Sequence, residues 1–325
     1  MKNKIVLVLV ILLAVFIFEG CSQSKTKPQD KTVLRIGAMN YPLFAPIPLA
    51  HKLGYLKEEL DKADAVYTWT IFASGPLINE AAASGNIDIG FMADVPAIIA
   101  KSTGQDIEIF ANIANGEKAL ALVVKKGSAY TKIEDLKNKK IAYVKGSYAQ
   151  HLLAILLNNA GLTFNDIVSV NLGAGDIPLA LEKEQIDAAV VWEQFITFLT
   201  NSGKASVIAD GTNVKKGNLV SYVTKKYANA NPKVVTAYIK AAQRASEYIK
   251  THPKEAAEAI AKDVGIEADL LVKIFKNLDF DQRLTDDDIN EIRKVKDYIL
   301  SEKIIQNDVD ISSFVTTKYI KEADL

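Results

Sequence analysis

Short β-rich runs alternate with helical runs along the first part of this 325-residue chain, and this alternation limits the folds open to it. The first set of strand-like runs covers residues 33–37, 65–72, 87–91 and 107–114. The pattern restarts near residue 120, with strand-like runs at 121–124, 141–144, 167–172 and 188–191. Strands that alternate with helices at this spacing form α/β sheets with parallel pairs. The sequence therefore predicts two successive α/β units.

From about residue 225 the pattern becomes helical. The predicted helices cover residues 232–250, 253–262, 268–277 and 285–300. Pro232 and Pro253 stand where a helix can begin without losing a needed N–H group. The tail has no cluster of catalytic residue types, and we interpret it as cover for the sheet of the first unit.

The N-terminus has the features of an export signal. Lys2 and Lys4 precede an unbroken apolar run over residues 5–18, which is long enough for a signal peptide and short for a membrane span. We predict a signal peptide over residues 1–20 and an extracytoplasmic location.

Cys21 is the only cysteine, and it follows directly after this segment. The Gly20-Cys21 pair resembles the lipobox of bacterial lipoproteins, whereas Phe18 and Glu19 depart from the aliphatic and small residues usual there. We predict that Cys21 is acylated and that residues 21–31 form a polar tether to the membrane. The alternative is a plain signal peptide or uncleaved anchor with an incidental cysteine.

Composition excludes several classes of function. The 39 basic and 39 acidic residues balance, so nucleic acid is not an expected partner. With no cysteine after residue 21, the folded part has no disulfide, cysteine–zinc site, iron–sulfur cluster or cysteine nucleophile. His51, His151 and His252 lack the spacing of a metal motif, and we predict neither metal nor cofactor.

Several segments carry a family resemblance. Residues 69–76 (Trp-Thr-Ile-Phe-Ala-Ser-Gly-Pro), 84–90 (Ser-Gly-Asn-Ile-Asp-Ile-Gly) and 94–96 (Asp-Val-Pro) resemble the periplasmic binding proteins for nitrate, sulfonate and taurine. In the second half, Gly146-Ser147 opens a helix and residues 186–188 lead to Trp192 in a similar way. The resemblance covers roughly residues 33–300, and such proteins are the recognition subunits of ABC importers.

The resemblance implies an α/β, two-domain periplasmic-binding-protein-like fold of type II, with the ligand in a hinged interdomain cleft. It also implies that the chain crosses between the domains twice. Domain I then comprises residues 32–117 and 213–325, and domain II comprises residues 118–212. We expect a monomer whose partners are a small-molecule ligand, ABC permease subunits and the membrane through its N-terminal lipid.

Two predicted helix N-termini are candidate anion sites. Ser74-Gly75 and Gly146-Ser147 each lie between a strand and a helix, where free N–H groups and the helix dipole favour an anion. One such terminus in each domain would converge on the cleft. The alternative is that both serines only cap their helices.

Four further candidates follow predicted strands. Asn40 and Tyr41 lie after the first strand, where they could bind the ligand or form a turn. Trp192 is a candidate to pack on an apolar ligand tail or in the core. Glu193 could pair with the amine of a zwitterion such as taurine, and the alternative is a solvated carboxylate in the first turn of a helix.

Three further candidates remain. Asp94 could contact the ligand, although a helix N-cap before Val95-Pro96 is the favoured interpretation. Asn218 and Tyr222 lie near the return crossing and complete the set.

The function implied is a solute-binding receptor of an ABC importer for an aliphatic sulfonate or a taurine-like zwitterion. Nitrate and a thiamine-precursor pyrimidine are alternative ligands, and a solute sensor without a permease is an alternative role. The chain also resembles thiamine-pyrimidine synthases, but those depend on a cysteine-rich motif that the folded part lacks. We therefore predict that it is not an enzyme.

Overall fold

The computed structural model describes residues 31–325, so the predicted signal peptide, Cys21 and nearly all of the tether lie outside the described residues. The described strands are β1 (Thr32–Ala38), β2 (Ala65–Ile71), β3 (Ile89–Ala93), β4 (Ile107–Asn115), β5 (Leu120–Lys125), β6 (Lys140–Tyr143), β7 (Val168–Asn171), β8 (Ala188–Trp192), β9 (Ala205–Asp210), β10 (Leu219–Thr224) and β11 (Asp279–Phe280). The described helices are α1 (Pro46–Lys52), α2 (Tyr55–Lys62), α3 (Gly75–Ala83), α4 (Asp94–Ser102), α5 (Tyr148–Asn159), α6 (Ile177–Glu182), α7 (Phe195–Asn201), α8 (Lys225–Ala230), α9 (Pro232–Thr251), α10 (Pro253–Val264), α11 (Ala268–Phe275), α12 (Asp286–Ser301), α13 (Ile311–Phe314) and α14 (Lys318–Glu322).

The strands form two mixed sheets, of six strands in the order β11-β4-β10-β3-β1-β2 and of five in the order β7-β6-β8-β5-β9. In the first, β1 pairs in parallel with β2 and β3, and β10 runs antiparallel between β3 and β4. In the second, β6 pairs in parallel with β7 and β8, while β5 runs antiparallel to β8 and β9. The predicted parallel pairs are therefore present in both sheets.

The chain passes from the first sheet to the second between β4 and β5, and it returns between β9 and β10. The two crossing segments are hydrogen-bonded: Gly116 N donates to Lys216 O at 3.0 Å, and Gly211 N donates to Glu117 O at 3.0 Å. Gly217 has φ +71°, and a Cβ there would lie 2.8 Å from Gly116 O, so only glycine fits this approach. The predicted domain boundaries fall in these segments and stay a prediction.

The C-terminal helices pack on the first sheet and its helices. Helix α9 packs against α1 and α2, α8 packs against β10, and α13 and α14 pack against β4. This packing agrees with the interpretation of the tail as cover for the first unit. It also buries one long face of α9, where Val235, Tyr238 and Ala242 are at most 1% exposed.

Candidate functional site

A cavity of about 70 Å³ lies where the carboxyl ends of parallel strands from both sheets meet. Its lining residues are Met39, Tyr41, Leu43, Phe44, all of residues 73–76, Met92, Ala93, Pro96, all of residues 144–148, Trp192 and Leu219. Loops after the carboxyl ends of strands are the usual ligand sites of open α/β sheets. The volume has room for several water molecules, which makes it a site for a small ligand.

Six of the ten predicted binding residues line this cavity: Tyr41, Ser74, Gly75, Gly146, Ser147 and Trp192. The other four, Asn40, Asp94, Glu193 and Asn218, are chain neighbours of lining residues but do not line it. The structure thus brings the two predicted helix N-termini to one place and turns the predicted acidic side chains away from it.

The N-termini of α3 and α5 both open on the cavity. Ser74 and Ser147 occupy the N-cap positions with extended backbone, and neither side chain accepts a hydrogen bond from its helix. The Ser147 hydroxyl instead donates to Val144 O at 2.7 Å. Both serines therefore hold the N-cap position without capping the helix through the side chain. The first amides of each helix have no carbonyl partner within the helix and remain available to an anion.

Glycine is required at each of these two N-termini for a different structural reason. Gly146 has φ +74°, a conformation that L side chains rarely adopt, and its N–H donates to Gln150 Oε1 at 2.7 Å. A Cβ on Gly75 would lie 3.3 Å from the ring of Pro96. Gly75 therefore lets the first turn of α3 approach the first turn of α4 closely.

Apolar and aromatic side chains form most of the cavity wall. They include Met39, Leu43, Phe44, Met92, Tyr148 and Trp192. The Trp192 ring lies 5.8 Å from the Tyr148 ring and 6.0 Å from the Phe195 ring, measured between centroids. Half-buried in this aromatic group, Trp192 presents part of its surface to the cavity, as the apolar-tail prediction requires.

Tyr148 is a buried cavity residue that sequence reasoning missed. Its burial, and then the charges of Asp94 and Glu193, raise the pKa of the phenol well above its usual value. The hydroxyl therefore stays protonated at neutral pH.

Lys145 is a second residue that was missed, and it is the only charged side chain lining the cavity among the described residues. Its backbone N–H donates to Asn171 Oδ1 at 3.0 Å, while its side chain is exposed. In the described part of the chain no carboxylate lies within 4.0 Å of its ammonium group. The available signal was its position directly before Gly146, at the end of a predicted strand.

Asp94 does not contact the cavity. Helix α4 begins at Asp94 with Ala93 as its N-cap, so the predicted N-cap is displaced by one residue. Its Oδ1 accepts the N–H of Val95 at 2.7 Å, and its Oδ2 accepts from Lys215 Nζ at 3.0 Å. Both charged side chains are fully buried. Because Asp94 pairs with Lys215, its carboxylate points to the return crossing and away from the cavity.

Glu193 is also fully buried, so the expectation of a solvated carboxylate is wrong. Its Oε2 accepts from Thr197 N at 3.2 Å and from Thr197 Oγ1 at 2.7 Å, and its Oε1 accepts from Asn277 Nδ2 at 2.7 Å. Burial raises the pKa of this carboxyl despite these bonds. The side chain joins β8 and α7 to the segment after α11, and it does not face the cavity.

The other candidates have structural partners. Asn40 Nδ2 donates to Asp263 O at 3.1 Å, and the Tyr41 hydroxyl donates to Ala73 O at 3.0 Å, joining the loops after β1 and β2. Asn218 is fully buried, and its Nδ2 donates to Asp288 O at 3.2 Å. Tyr222 is fully buried in the first sheet. Of these four, Tyr41 alone lines the cavity.

Residues 42–256 match the NMT1/THI5-like family. The chain belongs to this family. A putative aliphatic sulfonates-binding protein of Escherichia coli (strain K12) is 27% identical to it over 273 residues, which are 83% of this chain and 82% of the relative. The taurine-binding periplasmic protein of the same strain is 32% identical over 196 residues, or 59% of this chain and 60% of that protein.

Solved structures show the fold. The alkanesulfonate-binding protein SsuA from Xanthomonas axonopodis pv. citri, bound to MOPS, has a TM-score of 0.80 and 24% identity, covering 88% of this chain and 99% of its own. The predicted α/β periplasmic-binding-protein-like fold is confirmed. The chain is also similar to an enzyme: a 4-amino-5-hydroxymethyl-2-methylpyrimidine phosphate synthase of Candida albicans (strain WO-1) is 28% identical over 232 residues, or 66% of each chain.

Proposed function

We propose that this protein is the solute-binding receptor of an ABC importer and that it captures a small organic anion, a sulfonate in particular, in the cavity between the two sheets. The observation that carries the proposal is the meeting of two helix N-termini, those of α3 and α5, at one cavity. Each presents unpartnered amides and the positive end of a helix dipole.

A sulfonate head, with tetrahedral sulfur, suits this arrangement. Its three oxygens can accept hydrogen bonds from both helix termini, and Lys145 adds a positive charge at the rim. The apolar wall with Trp192 then surrounds the remainder of the ligand. The similarity to the sulfonate-binding and taurine-binding relatives supports the same ligand class.

A transport role without catalysis agrees with the same features. The residues that line the cavity offer hydrogen-bond donors and an apolar wall, which suffice to hold a ligand by closing two lobes around it. Thiamine-pyrimidine synthases depend on a cysteine-rich motif, and Cys21 is the only cysteine here. We infer a receptor and not an enzyme.

The binding proposal is tested by isothermal titration calorimetry and thermal shift with propane-1-sulfonate, taurine, nitrate and a thiamine-precursor pyrimidine. A ligand that binds the folded state and not the unfolded state raises the melting temperature, and the stabilisation grows with the logarithm of one plus the ratio of free ligand concentration to Kd. We expect at least one sulfonate to bind. The Ser74→Trp substitution should abolish this binding, because its bulky side chain would occupy the cavity. Binding of the pyrimidine alone would contradict the anion assignment.

We also propose that the protein is exported and held at the membrane by a lipid on Cys21, with a permease as its partner and a monomeric state. No helix in the described range, residues 31–325, has the length and apolar character needed to cross a membrane. Metabolic labelling with an alkyne fatty acid tests the anchor, with Cys21→Ser as the matched variant. Equal labelling of both proteins would refute acylation at Cys21.

A further inference from the structure

The cavity lining carries charge of one sign. Among the described residues that line it, Lys145 is the only cation and none is Asp or Glu. The two helix N-termini add partial positive charge at the same place. A ligand bound there therefore meets a positive potential with no acidic side chain in contact.

The two carboxylates nearest in sequence to the lining residues already have partners within the protein. Asp94 follows the lining residue Ala93, but its partner Lys215 neutralises it at 3.0 Å and both are fully buried. Glu193 follows the lining residue Trp192, but its two oxygens accept from Thr197 and Asn277. Neither carboxylate can pair with a ligand ammonium unless these buried bonds are broken.

We infer that the ligand has an anionic head and an uncharged apolar tail, and that an ammonium group on that tail weakens binding. This inference rests on the proposed function and narrows its ligand class. An ammonium entering the cavity would lose its hydration and gain no counter-ion, which is costly in an apolar environment. A methyl group at the same position would instead gain contact with side chains such as Met39, Phe44 and Met92. Of the two ligands expected from the sequence, the aliphatic sulfonate is thus favoured over the taurine-like zwitterion.

Propane-1-sulfonate and taurine form a matched test pair, because they have the same head and the same number of heavy atoms and differ by a terminal methyl or ammonium. Calorimetric titration of the purified protein at pH 7 should give a dissociation constant for propane-1-sulfonate at least about tenfold lower than that for taurine. Equal or tighter binding of taurine would overturn this inference and leave the proposed function intact. Failure of both sulfonates to bind would overturn the proposed function and this inference together.

A variant pair tests the electrostatic cause. Met39 lines the cavity and is 4% exposed, and both Glu and Gln approximate its length and volume. In Met39→Glu the ratio of taurine affinity to propane-1-sulfonate affinity should rise several-fold, whereas in Met39→Gln it should stay near the wild-type value. The comparison uses the ratio because an added carboxylate also repels the common sulfonate head. A ratio that does not change in Met39→Glu, with the melting temperature showing both variants folded, would contradict the inference.

Discussion

The Lys215 ammonium lies 3.0 Å from Asp94 Oδ2, and both side chains are fully buried. Asp94 begins α4 directly after the cavity residue Ala93, and Lys215 lies in the crossing that returns the chain to β10. The same two segments are joined by a backbone bond from Asp94 N to Asn218 O at 3.1 Å. This contact holds one wall of the cavity to the crossing segment through a pair of charges that water does not reach.

We predict that breaking this pair is far more costly than removing it. Lys215→Met leaves the Asp94 carboxylate buried and uncompensated, and the free energy of unfolding should fall by about 3–5 kcal/mol. Combining Lys215→Met with Asp94→Leu should cost much less than the sum of the two single changes, because the double variant buries no unpaired charge. Urea unfolding of the three variants measures this, and additive losses would contradict it.

The second prediction concerns Lys145, whose ammonium has no carboxylate within 4.0 Å among residues 31–325. Lys145→Met should weaken propane-1-sulfonate binding by about tenfold at low salt, because it removes the one side-chain cation at the cavity. The difference in affinity between wild type and Lys145→Met should become smaller at higher salt, because salt screens this exposed charge. Lys126→Met, at an exposed turn after β5, is the control and should bind like wild type. Equal weakening in both variants would show a general charge effect.

Much of the site could be predicted because parallel strands bring their carboxyl ends to one edge of a sheet. Tyr41, Ser74 and Trp192 each follow or end such a strand, so the strand prediction places them at that edge, while the cleft between the two domains was implied by the family resemblance. The role of the serine side chains did not follow. Ser is a common N-cap, but the Ser147 hydroxyl donates to the Val144 carbonyl instead of accepting an amide.

The acidic residues were misplaced for a different reason. Asp94 pairs with a lysine 121 positions away, and Glu193 accepts from an asparagine 84 positions away. No local pattern indicates such partners, since they depend on how the return crossing and the segment after α11 pack. Lys145 was missed because a single lysine in a loop is usually solvated. Its position at the cavity is evident only from the folded structure.

The third prediction uses the two glycines that flank α5 to separate the effect of backbone strain on stability from an effect on ligand binding. Gly146 precedes the helix with φ +74°, and Gly161 follows it with φ +69°. Alanine at either position should lower the free energy of unfolding by about 1–2 kcal/mol, since L residues disfavour this region. Gly146→Ala should in addition weaken propane-1-sulfonate binding several-fold, because the adjacent first turn of α5 lines the cavity. Calorimetry should find Gly161→Ala unchanged in affinity; a matching loss there would contradict a local role for Gly146.

The fourth prediction is a loss of stability in mild acid that depends on His151. This side chain is 4% exposed, its ring lies 4.6 Å from the ring of Tyr298 on α12, and its Nδ1 has no hydrogen-bond partner among residues 31–325. Burial, and then the charge of Lys215, lower the pKa of His151 to about 2. The folded state therefore keeps the ring neutral, while the unfolded chain takes up a proton below its ordinary pKa of about 6.5.

Because the unfolded state binds the extra proton, His151 should reduce stability as the pH falls below about 6.5, and its neutral ring should have no such effect above about pH 7.5. Between pH 7.5 and 5.0 the expected contribution is a loss of about 2 kcal/mol in the free energy of unfolding. His151→Gln cannot titrate, so urea unfolding should show a correspondingly smaller loss over this range. His252→Gln, at an exposed position, is the matched control and should retain the wild-type dependence. An identical pH dependence in wild type and His151→Gln would mean that the ring takes up its proton without unfolding, and that His151 is less enclosed than its contact with Tyr298 indicates.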